Sequence, residues 1–176
     1  MRWRKRILTA LSIFVVLALG FWLWIGRDIY NGYKKGFFDK QVRHAYSGDT
    51  KDNLQRIYNA LMLYERSEGV FPSSNRWMDA ISNRLQTADL KAGEGAKKLI
   101  DPTLDGTPGQ YGYAMNDAAS GKYHADVPGG KDAILVFQSS ETARNAHGDP
   151  TKLEPQPPRN GVSYAVTVGG KLIEIH

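Results

Sequence analysis

The chain contains no cysteine, which excludes a disulfide framework, a zinc-thiolate centre and thiol chemistry together. Histidine is scarce as well. His44, His124, His147 and His176 are scattered, with no pair four residues apart and no HExxH, so no ready metal-binding helix is written here. GxSxG, the P-loop and the dinucleotide fingerprint are also missing, and the GEG at 93–95 reads as a flexible loop. Eighteen acids are present, but no spacing singles out a pair for acid-base work. The expectation is a protein without catalytic residues, metal or cofactor. Net charge is short too once the first six residues are set aside. Arg2, Arg4, Lys5 and Arg6 carry four of the five net positive charges, which argues against a nucleic-acid partner. A chain of 176 residues is long enough for one real core.

What is present first is an uncharged run. From Ile7 to Ile25, ILTALSIFVVLALGFWLWI, the only hydroxyls are Thr9 and Ser12. As a helix it spans roughly 28 Å, close to the hydrocarbon core of a bilayer at about 30 Å. The basic flank 1–6 precedes it, and Arg27 is followed at once by Asp28. The positive-inside rule then places the N-terminus in the cytoplasm and the rest of the chain outside a bacterial inner membrane. Trp22, Trp24, Tyr30 and Tyr33 fit an aromatic belt at the outer interface. Ala18-Leu19-Gly20 offers the small residues of a signal-peptidase site, but the apolar run continues five residues beyond it. A retained transmembrane helix, 7–25, is the preferred reading.

Residues 26–48 mix aromatics with charge, and Gly32 and Gly36 discourage a long uninterrupted helix. They read as a juxtamembrane connector. Tyr30, Tyr33, Phe37 and Phe38 either rest on lipid or a partner, with Lys34 and Lys35 at headgroups, or close the base of the following domain. Asp49 or Thr50 then caps a helix in which Leu54, Ile57, Tyr58, Leu61 and Met62 share one face, and Gly69 stops it. A second helix is expected over about 75–85, with Trp77, Ala80, Ile81 and Leu85 on its core side. Residues 87–110 form a loop region. YGYAMN (111–116), DAILVFQS (132–139), GVSYAVTV (161–168) and KLIEI (171–175) read as strands, the last two joined by Gly169-Gly170 in a hairpin. In that hairpin Val162, Tyr164, Val166 and Val168 form a buried face, and Ser163, Ala165 and Thr167 a wetter one. The fold class is α+β, two helices packed on an antiparallel sheet of about four strands over 49–176.

Asn53, Leu54, Ile57, Ala60, Leu61, Tyr64, Gly69, Phe71 and Pro72, with Trp77 shortly after, resemble the globular start of pseudopilin-like proteins. YGYAMN and DAILVFQSSE resemble two of that family's strands. One subgroup ends in His, nine residues and Asp-Gly; here Arg159 is followed by nine residues and then Gly169-Gly170, so the spacing is kept and the named residues are replaced. The resemblance covers about 50–176 and implies a pilin-like domain. It does not reach the N-terminus. The family's Gly-Phe processing pair precedes its apolar helix and is followed by a Glu at the fifth position, whereas Gly20-Phe21 lies near the far end of the run with Ile25 in the fifth place.

The function expected from these features is that of a single-span, non-enzymatic structural or accessory subunit of a membrane complex of secretion, respiratory or photosynthetic type. Its partners would be the bilayer and other subunits, met through Trp22, Trp24, Tyr30, Tyr33, Phe37 and Phe38. A secretion pseudopilin with a degenerate processing site is the alternative. An envelope module for a ligand or Ca²⁺ is a third, because Asp101, Asp105 and Gly106 offer oxygen ligands, although without EF-hand spacing. The polar loops 118–130 and 142–160 are long for simple connections, and EPQPPR is stiff enough to serve recognition.

Overall fold

A computed structural model describes residues 2–34, 42–104 and 106–175. Within the first of these segments, side chains are described from Val15 onward, Val16 and Tyr33 excepted. The chain divides into two units, Met1–Val42 and Arg43–His176.

The first unit is one helix, α1 (Arg2–Lys34, 33 residues), about 50 Å long at the usual rise. It contains the whole uncharged run and continues through Gly26 and Gly32, so the first residues expected as a connector are helical. A glycine inside a helix costs only about 1 kcal/mol, and two such positions do not break a helix of this length. Phe37 and Phe38 lie outside the described residues. Among the described residues, no helix is long and apolar enough to cross a membrane; the side chains of residues 2–14 lie outside that description.

The second unit is built on α2 (Thr50–Glu68). Asp49 caps it by accepting from the Asp52 amide at 2.8 Å, and Gly69 ends it at φ 82°, a backbone region costly to any side-chain-bearing residue. Leu54, Ile57 and Leu61 are fully buried. The expected second helix is shorter than its sequence stripe: α3 (Trp77–Ile81) sits between 3₁₀ turns at Ser74–Arg76 and Ser82–Arg84. Trp77, Ile81 and Leu85 nonetheless all reach the core.

Five strands follow: β1 (Tyr113–Asn116), β2 (Ile134–Gln138), β3 (His147–Gly148), β4 (Ser163–Thr167) and β5 (Leu172–Ile175). Their order is β3-β1-β2-β4-β5. The four longer strands pair antiparallel, while β3 adds a two-residue parallel edge beside β1, with Met115 opposite His147. The sheet is therefore mixed and one strand wider than expected. A parallel neighbour needs a crossover, and the chain from 117 to 146, which includes β2, lies between β1 and β3.

The two faces of the sheet are covered differently. Tyr113, Met115, Val136, Val166 and Val168 meet α2 and α3 in the main core. Ala114, Phe137 and Ala165 meet Leu153, Ile173 and Ile175 on the other face. Ser163, Ala165 and Thr167 are buried, which corrects the expectation that they form a wetter face. For Ala165 the cause is that α4 (Pro150–Leu153) brings Leu153 onto this face together with Ile173 and Ile175. The long loop 118–130 is likewise structural. Phe71 donates its amide to Lys122 O at 2.8 Å, and Ala119 and Val127 enter the main core.

Candidate functional site

The described part of α1 presents apolar side chains around its whole circumference. Phe21, Trp22, Leu23 and Trp24 are 60, 76, 75 and 58% exposed, and four consecutive positions go once around a helix of 3.6 residues per turn. Trp22 and Trp24 consequently lie on opposite sides, and Tyr30, 64% exposed, stands two turns further on. This is a girdle rather than a one-sided stripe. Tyr33 belongs to α1 but its side chain, like all of Phe37 and Phe38, lies outside the described residues.

In the second unit the most enclosed charge is Asp101, fully buried. Its Oδ1 accepts from the Thr50 hydroxyl at 3.1 Å and the Thr103 amide at 3.0 Å. Its Oδ2 accepts from Gln138 Nε2 at 2.7 Å and from Arg159 Nη1 at 3.0 Å. Arg159 also donates to the Ser139 carbonyl. With four donors in place this carboxylate is a structural hub joining α2, β2 and the turn before β4 rather than a cation ligand, while Asp105 lies outside the described residues. Beside it the Tyr113 hydroxyl is raised well above its ordinary value, by burial and then by the Asp101 charge.

Two further clusters join residues the sequence keeps far apart. Glu65, 3% exposed, meets His124 Nδ1 at 2.7 Å, and this holds loop 118–130 to α2. Asp117 Oδ1 accepts from the Ser74 hydroxyl at 2.6 Å and lies 2.8 Å from His147 Nδ1. The second set has the residue types of a hydrolase triad, but in the wrong order. The carboxylate stands between hydroxyl and imidazole, whereas nucleophile activation needs the imidazole to take the hydroxyl proton. The Ser74 hydroxyl, and after it His147, hold Asp117 below the usual carboxylate range, which makes it a poor base. Its geometry is that of a brace between β1, β3 and the turn before α3. Among the described residues, no group of three or more His, Asp or Glu side chains is placed to hold a metal ion.

A fourth polar cluster surrounds a small cavity of about 140 Å³, lined by His44, Tyr46, Arg56, Thr87, Asp89, Leu90 and Lys98. Lys98 is only 3% exposed, and its Nζ donates to the Leu85 carbonyl at 2.6 Å. Burial, and after it the Arg56 charge, lowers its ammonium pKa. Within the region 87–110, expected only as a loop, nothing local marks this lysine; the 3₁₀ turn Glu94–Leu99 turns it inward. No known family model, curated protein or solved structure matches this chain.

Proposed function

We propose that this protein is a single-span membrane subunit without enzymatic activity, with α1 as a retained anchor and residues 43–176 as an exported pilin-like domain that serves a larger envelope complex. One observation carries the reading: Phe21, Trp22, Leu23 and Trp24 stand more than half exposed all around α1. A helix apolar on every side needs lipid or neighbouring helices around it. The basic flank at Arg2–Arg6 orients such an anchor with its N-terminus in the cytoplasm. Trp22, Trp24 and Tyr30 then fall where aromatic rings favour the headgroup boundary, and complexes of secretion, respiratory or photosynthetic type supply partner helices for the same surface. In the domain, the side-chain clusters around Asp101 and Asp117 act as internal braces.

The test is alkaline extraction of membranes combined with the intact mass of the mature chain. The expected result is a carbonate-resistant protein with its basic N-terminus retained. A new terminus just before Ile7 would instead establish a processed pseudopilin, and one after Gly20 a cleaved secretory signal. Gentle detergent extraction should recover the chain with other membrane subunits; migration alone would remove the complex from the proposal.

A further inference from the structure

We propose that the cavity between His44, Arg56 and Lys98 binds one small tetrahedral oxyanion of phosphate type through the Lys98 ammonium and the Arg56 guanidinium. An ammonium has three donors, and within the described residues Lys98 satisfies one of them, on Leu85 O. The Tyr46 ring, 5.3 Å from Nζ, adds attraction for the cation but no acceptor. Buried charge is ordinarily paired, yet the lysine ion pairs among the described residues belong to Lys97 and Lys152.

Arg56 is exposed, but it too is absent from the ion pairs among the described residues. The described arginine ion pairs are those of Arg84, Arg144 and Arg159, while Arg56 lines the cavity beside Lys98. Two like charges facing one space repel each other unless an anion lies between them. The one carboxylate in the lining, Asp89, lies 3.5 Å from His44 Nε2 and also feels the Lys98 charge, so it offsets only one of the two cations. One acid against two cations leaves the lining positive even with His44 neutral.

Size narrows the ligand. About 140 Å³ far exceeds the roughly 10–15 Å³ that admits one water and falls short of the roughly 300 Å³ at which drug-sized pockets begin. The wall is also held in place, since the Tyr46 hydroxyl donates to Asn53 at 2.6 Å and its amide donates to Glu94 at 2.7 Å. Free inorganic phosphate and the phosphate of an anionic lipid headgroup present the same chemistry to these groups. The cavity lies wholly within Arg43–His176, so the inference holds whether or not α1 is an anchor.

The experiment uses the full chain in detergent, titrated calorimetrically with sodium phosphate at ionic strength held constant with chloride. In parallel, the chain is melted in nanodiscs of phosphatidylcholine alone and with phosphatidylglycerol. One phosphate per chain is expected, with binding weakened at least tenfold in Arg56→Ala and Lys98→Met. If phosphate is inert and phosphatidylglycerol raises Tm in the native chain but not in Arg56→Ala, the source is lipid and the site stands. Should Lys98→Met fail to fold, Arg56→Ala and Arg56→Lys decide, because Arg56 is exposed. The inference is overturned by the absence of saturable binding and of a lipid-dependent shift. Binding that survives both substitutions overturns it as well.

Discussion

At the scale of single residues, enclosed charge explains more of this molecule than any motif does. Asp101 tolerates full burial because Thr50, Thr103, Gln138 and Arg159 all donate to it. Removing the cation leaves an uncompensated buried carboxylate, a change that costs about 3–5 kcal/mol. Arg159→Met should therefore lower stability by that amount in urea unfolding, and Arg159→Lys by less; an unchanged midpoint for Arg159→Met would refute the hub. Arg159 and Asp101 are 58 positions apart, which is why spacing showed Arg159 only as a replacement within a family pattern. Acid response belongs to this scale too. Asp79 is held low by the Asn145 amide and then by Arg144, and Asp117 by Ser74 and then by His147. A carboxylate depressed on folding contributes stability that is fully present above its unfolded pKa of about 3.9 and disappears as pH falls through the lower folded value. Tm should accordingly hold above about pH 4 and fall below it, with a shallower acid limb in Asp117→Asn.

At the scale of elements, α2 was the most legible part of the chain. A cap, a stop and an apolar stripe, all between Asp49 and Gly69, agree with one another. Asp49→Ala removes the acceptor for the Asp52 amide and should cost about 0.5–2 kcal/mol, read as a lower urea midpoint with unchanged slope. The β4–β5 hairpin was equally legible from Gly169-Gly170, but the reason for the second glycine was not. Gly170 has φ +81°, and a Cβ there would stand 2.8 Å from the Tyr58 ring on α2. Gly170→Ala should lose at least the roughly 1–2 kcal/mol of a left-handed side-chain-bearing residue, and Tyr58→Ala should restore part of it. Elements held by distant partners escaped notice. α3 starts only at Trp77, where Asn145, 67 positions from Met78, accepts that residue's first-turn amide at 2.8 Å. β3 exists because the Ala146 carbonyl accepts both the Met115 amide at 3.0 Å and the Trp77 indole at 2.9 Å. Short polar stretches carry no periodicity to announce such roles.

At the scale of the whole molecule, Met1–Val42 and Arg43–His176 are distinct units. Both described hydrophobic clusters lie within the second. A chain lacking residues 1–42 should hence fold to the same α+β unit and melt within a few degrees of the full protein; loss of cooperative unfolding would show that α1 completes the core. The sequence alone determined the uncharged segment and its basic flank, α2 with its caps, the four longer strands and the α+β class, because each is encoded by neighbours a few residues apart. Tertiary structure decided the rest. It buried Ser163 and Thr167 and packed Leu153 of α4 onto Ala165, set a parallel edge strand beside β1, enclosed Asp101 and turned Lys98 inward beside Arg56. Each of these depends on groups brought together from across the chain, and burial and charge pairing are properties of that assembly rather than of any local pattern.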